Sequence, residues 1–230
     1  MFMYFDPTFV LVLLGLLLSG AASAYVNRTF QKYDQFNSRQ GTTATDAARY
    51  ILEEAGIHDV QIQEISGHLT DNYNPQNKVL SLSQSTANAR SIAAIGVAAH
   101  EVGHAIQDHQ HYMPMRLRAG LVPITNLGTS ISLPLIIVGV LLSWNQTLIH
   151  LGIFAFSLAL LFQLVTLPVE FNASMRAVSI LANGPLLDDD EVTIVKKVLT
   201  AAALTYVAAA LSTFLQLLRL VLLFGNDRRE

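Results

Sequence analysis

Three long stretches without Asp, Glu, Lys or Arg constrain this chain more than anything else in it. Residues 8–27 form the first. Residues 119–169 form a second, a 51-residue run too long for one crossing of a bilayer and broken by the polar turn Trp144-Asn145-Gln146-Thr147. Residues 198–218 form the third, and the apolar pattern continues to Phe224. About 20 apolar residues cross the hydrocarbon core, so these runs predict four spans, at about 8–26, 121–142, 148–169 and 199–224. Only 13% of the residues are charged, against about 25% in a soluble domain. The solvent partner is therefore a lipid bilayer. With mixed signs, a net charge of −3 and no basic block, nothing points to nucleic acid.

The first span ends in Ser19-Gly20-Ala21-Ala22-Ser23-Ala24, small residues of the kind found at signal-peptidase sites. The seven residues before it contain Asp6 and no Lys or Arg, whereas a cleavable signal begins with a basic region. A retained anchor is expected. The two polar segments, 28–118 and 170–197, carry the remaining structure of what reads as one domain over 1–230. Thr43-x-x-Asp46 resembles a capping box opening a helix, with Gly56 as its stop. Residues 60–65 and 78–83 read as strands, with the turn formers of residues 72–77 between them. An Ala-rich helix is predicted over about 91–107. Asn183-Gly184-Pro185 breaks the second segment, and Asp188 to Glu191 place favourable negative charge at a new helix N-terminus.

The chain has no cysteine, so any metal must be held by His, Asp or Glu. Within the Ala-rich helix stands His100-Glu101-Val102-Gly103-His104, an H-E-x-x-H motif. Helix positions i and i+4 lie one above the other, so both imidazoles can reach one zinc ion, and the Glu beside the first serves as general base. Two imidazoles and a carboxylate on so apolar a helix would be costly without a partner.

Hydrolytic zinc takes a third protein ligand. His109 and His111 do not fit the metzincin spacing, whose Gly and His positions are occupied here by Gln107 and Gln110. Among carboxylates, Glu170 stands out: it follows the 51 uncharged residues, and two intervening spans return it to the side of His104.

The sequence resembles the YugP-like bacterial membrane zinc metallopeptidases nearly end to end. The resemblance rests on Tyr4-Phe5-Asp6-Pro7, on Ser66-Gly67-His68-Leu69-Thr70-Asp71, and on the string from Val97 to Gln107 around the motif. It continues through Leu164 to Ser174 around Glu170 and through Ala201 to Ala210. The layout is also similar to the HtpX-type membrane proteases, in which a substrate-binding strand precedes the motif helix and an E-x-x-x-D string supplies the third ligand. Aligned on Glu170, that Asp falls at Ser174, which can hydrogen-bond a ligand imidazole but brings no charge; Asn172 is an alternative partner. His68 and Asp71 precede the expected substrate strand and either polarise a substrate carbonyl, line the cleft or form a polar turn. Arg176 either pairs with a carboxylate or is solvated.

The expectation is a mainly α-helical, multi-pass membrane protein with a small α+β zincin-like metallopeptidase region. It would hydrolyse peptide bonds with one zinc per chain, using His100, His104 and Glu170 as ligands and Glu101 as base then acid. The substrate would be a polypeptide, in particular a membrane protein, pairing as an added strand alongside residues 78–83. Two alternatives are a catalytically silent metal-bound membrane scaffold and a metal-dependent hydrolase of a non-peptide substrate. Intact Glu101 argues against the first, and a substrate assay separates the second. Eight Lys and Arg lie in 28–118 and three in 170–197, while the hairpin between the second and third spans has none. Cytoplasmic segments carry the positive excess, so the zinc site is expected on the cytoplasmic face of the bacterial membrane, with Arg219 snorkelling at the opposite interface.

Overall fold

The computed structural model describes residues 6–225. Tyr4 and Phe5 of the family resemblance, and Arg228 and Arg229 near the C-terminus, lie outside these. The described chain is mainly helical: α1 (Phe9–Tyr33), α2 (Ala44–Glu54), β1 (Gln61–Ile65), β2 (Asn72–Asn74), β3 (Val79–Ser83), α3 (Gln84–Ala87), α4 (Ile92–His109), α5 (Met113–Leu141), α6 (Gln146–Asn183) and α7 (Asp189–Phe224). Four of the helices, α1, α5, α6 and α7, are long and apolar enough to cross a membrane. The chain divides into two compact units.

The first unit comprises the residues up to Ser23, Leu117–Leu167 and the residues from Thr205 on. Its helices pack through small residues. A Cβ on Gly152 would meet the Ser132 carbonyl oxygen at 2.7 Å, so α5 and α6 approach almost backbone to backbone, the spacing that membrane helices use in place of a hydrophobic driving force. Large apolar side chains such as Leu17, Leu127 and Phe154 point outward, which only lipid would solvate favourably. Between α5 and α6 the chain turns through Ser143 and Trp144, both in the left-handed region, and Asn145 caps α6 by accepting from the Leu148 amide at 3.2 Å. Arg219 pairs with Asp6 at 2.9 Å and stacks on Phe9.

The second unit comprises Ala24–Arg116 and Pro168–Leu204. Its core is built from Ile51 and Leu52 of α2, Leu80 and Leu82 of β3, Ile95, Ala99 and Val102 of α4, and Ala177, Leu181 and Val195 of α6 and α7. Thr43 caps α2 as expected: its hydroxyl accepts from the Asp46 amide at 3.1 Å, while the Asp46 carboxylate accepts from that hydroxyl rather than from the Thr43 amide. Gly56, at φ +69, releases the chain after α2. At the start of α7 the acidic residues have partners, Arg39 bonding Asp188 and Asp190 and its amide bonding Glu191.

Two expectations need correction here. The sheet has three strands, in the order β1-β3-β2, with β1 parallel and β2 antiparallel to β3. Asn72–Asn74, read as turn because of its asparagines, is the third strand, and Tyr73 pairs with Leu80. Consequently β3 lies in the middle with a neighbour on each side and cannot accept a peptide as an added strand. On the β2 side its end is also closed by Asp71, which accepts from the Ser83 amide at 2.8 Å and from the Ser83 and Thr86 hydroxyls.

Candidate metal centre

Helix α4 begins at Ser91, whose hydroxyl accepts from the Ala94 amide at 3.2 Å, satisfying one of the helix's unpaired donors. The small residues that follow are nearly all buried, so α4 runs through the core as a close-packed rod. His100 and His104 lie one turn apart on it, their rings edge to face at 4.8 Å. His104 is buried, while His100 and Glu101 are partly covered.

Helix α6 brings up the carboxylate. Glu170 Oε2 lies 3.2 Å from His100 Nε2 and 3.5 Å from His104 Nε2. Ligand atoms from these three residues all fall within 4.8 Å of one another. His109 and His111, both exposed, are not part of this group. A tetrahedral zinc with bonds of about 2.0–2.1 Å holds its ligand atoms roughly 3.3 Å apart, which the two His–Glu distances bracket. The electrostatics point the same way. Burial pulls the His104 imidazole down, but the bond to Glu170 and the charges of Glu101 and Glu170 outweigh it, and its pKa is raised. The pocket is thus arranged to hold positive charge where the two Nε2 atoms meet the carboxylate. Its residues fit a zinc ion.

Both imidazoles are also held from behind. His100 Nδ1 lies 3.1 Å from the Ser174 hydroxyl, the position where the HtpX-type pattern has Asp. His104 Nδ1 lies 3.0 Å from Gln107 Oε1, a partner that sequence reasoning missed. The signal was available: Gln107 follows His104 by three residues, which on a helix is adjacency. Asn172 bonds Gln107 and Arg176 rather than an imidazole. Arg176 is neither paired with a carboxylate nor simply solvated; it donates to Asn172 and Gln110 and stacks on Tyr112.

Burial pushes the Glu101 carboxyl up, and the charges of His100 and His104 only partly oppose this. The charges of Glu170 and Asp71 add to the rise. Asp71 itself serves as a structural acceptor for β3 and α3. His68 is exposed and meets the Phe30 ring edge-on at 6.0 Å.

Residues 8–225 match the family model described as "Putative neutral zinc metallopeptidase". The chain is 44% identical over 220 residues to the "Putative membrane protease YugP" of Bacillus subtilis (strain 168), covering 96% of this chain and 97% of that relative. No solved structure matches this chain.

Proposed function

The chain belongs to the neutral zinc metallopeptidase family, and from that premise we propose that it is a zinc-dependent membrane endopeptidase with its metal on His100, His104 and Glu170. The observation that carries this reading is the convergence of His100 and His104 from α4 and Glu170 from α6, with one ligand atom of each within 4.8 Å of the others. Bound there, one zinc per chain would supply a Lewis acid that makes a water molecule acidic near neutral pH.

The remaining chemistry belongs to Glu101. Its carboxylate takes the proton of the attacking water as the water oxygen adds to the peptide carbonyl carbon. It then gives that proton to the amide nitrogen as the C–N bond breaks. A carboxyl pushed up by burial is a stronger base, closer to the pH at which it must work. The substrate backbone pairs with the outer edge of β2, which has no strand partner among the described residues and follows directly on Asp71. Pairing through the backbone selects extended polypeptide with little demand on side chains, and the membrane setting favours membrane proteins as substrates. The Lys and Arg of the two polar segments, eight and three against none in the hairpin between the second and third spans, favour a cytoplasmic site.

Glu101→Gln keeps the size of the side chain but cannot take the proton. Purified in detergent, this variant should retain zinc and lose peptidase activity by at least about 10²–10⁴-fold. Cleavage at the wild-type rate would overturn the assignment. Proteins accumulating in cells that carry Glu101→Gln are the candidate substrates.

A further inference from the structure

Gln107 is fully buried, and every polar atom of its side chain is engaged. Its Nε2 donates to the Val169 carbonyl oxygen at 2.8 Å and to Asn172 Oδ1 at 3.0 Å. A carboxamide nitrogen has two hydrogens, so both are committed, and the carboxamide has one orientation. Its oxygen must then face His104 Nδ1 at 3.0 Å, and it can only accept. His104 Nδ1 therefore carries a proton and donates it to Gln107, and Nε2 is the ring nitrogen left to face Glu170.

The far end of the network is fixed as well. Asn172 Oδ1 accepts from Arg176 Nε at 2.6 Å, and Arg176 Nη1 donates to Gln110 Oε1 at 2.6 Å. Asn172 cannot rotate to offer its amide to Gln107 without facing the guanidinium with a donor. The His100 side differs. Ser174 Oγ lies 3.1 Å from His100 Nδ1, but a hydroxyl can donate or accept and so does not dictate which ring nitrogen carries the proton.

We propose that Gln107 is the positioning residue of the metal centre: one carboxamide holds His104 through Nδ1 and the Val169–Glu170 peptide through its carbonyl, setting two ligands from two helices against each other. This rests on the reading of His100, His104 and Glu170 as the zinc ligands. It assigns the role usually filled by a carboxylate behind a metal-bound histidine to a neutral group, so the negative charge beside the two Nε2 atoms comes from Glu170 and Glu101.

The test uses the full chain purified in detergent, with zinc affinity measured by competition with a chromophoric chelator. Gln107→Met preserves length and apolar volume and removes both bonds. It should weaken zinc about 10–100-fold, the range for loss of an outer partner, and change the visible spectrum of the cobalt-substituted protein. The melting temperature of the metal-free protein should stay near wild type. Gln107→Glu keeps the acceptor for His104 and should bind zinc more tightly than Gln107→Met. Ser174→Ala should weaken zinc less than Gln107→Met. Wild-type affinity and cobalt spectrum in Gln107→Met would overturn the proposal, as would Gln107→Glu binding no better than Gln107→Met. A fall in the metal-free melting temperature matching the loss of affinity would also refute it, because the residue would then be merely structural. If His104→Ala keeps full zinc affinity, the ligand assignment itself fails, a result distinct from any of these.

Discussion

Gly103 sits inside the H-E-x-x-H motif, and replacing it with Ala tests how closely the two ligand-bearing helices must approach. A Cβ there would lie 2.5 Å from the Ala173 carbonyl oxygen, 3.0 Å from its carbon and 3.1 Å from its Cα. All three are backbone atoms of α6, so no side chain can swing aside. Ordinary contact begins near 3.4 Å, and α6 would have to retreat locally by roughly 0.9 Å from α4. Ala173 adjoins Ser174 and lies one turn from Glu170, so the shift falls on the segment that meets both histidines. Metal–ligand distances tolerate only about 0.2 Å, so Glu170 would be drawn out of range unless the helices pay the overpacking strain of about 1–3 kcal/mol. At 1.4 kcal/mol per tenfold, that is a roughly 5–150-fold loss of zinc affinity, of folded-state stability, or of both. The helix-propensity gain of Ala over Gly, up to about 1 kcal/mol, works against the loss, so a measured loss is a lower bound on the strain. Zinc per chain, chelator competition and thermal melting of the purified protein read the two effects separately. Gly96→Ala on the same helix is the control. There the nearest atom is a Val195 methyl at 3.2 Å, which can move, and both affinity and melting should remain near wild type. Gly103→Ala with wild-type zinc affinity and melting temperature would refute the close-approach reasoning.

Two further outcomes follow from the ligand set and the charge pattern. His100→Ala, His104→Ala and Glu170→Ala should each lose the zinc that the wild type holds at about one per chain by metal analysis; full occupancy in Glu170→Ala would remove it from the site. Because the chain has no cysteine, an impermeant thiol reagent on intact cells should label Asn145→Cys and spare Gln76→Cys and Asp189→Cys, and the reverse pattern would put the peptidase site outside the cell.

The membrane-capable helices were legible because absence of charge over some 20 residues is a strong, one-dimensional signal. The motif was legible because two ligands and the base lie on one helix turn. Glu170 could be singled out because charge resumes there after so long an apolar run. What lay hidden depended on pairing across sequence. Asn72–Asn74 carries turn propensity, yet it becomes a strand because β3 offers it hydrogen bonds, and intrinsic β preference yields to such context. The middle position of β3 followed only once that third strand was seen. Gln107 looked like a failed position in another family's pattern, whereas its buried carboxamide joins two helices. The pairing of Arg219 with Asp6 was hidden because the two lie at opposite ends of the chain.

The end of the charge-free run marks the end of an apolar surface, not of a helix. Glu170 was expected at the exit of a crossing, and α6 continues beyond it to Asn183. That continuation gives the site its second helical spacing. Glu170 and Ser174 are separated by four residues, so they lie on one face of α6, as His100 and His104 lie on one face of α4. The two pairs meet at His100, whose ring is held at Nε2 by Glu170 and at Nδ1 by Ser174. A loop carrying Glu170 would leave that clamp to chance, because only an unbroken helix fixes the distance between the carboxylate and the hydroxyl that support one imidazole. The close contact at Gly103 and the carboxamide of Gln107 then fix the remaining freedom, the separation and register of α4 against α6.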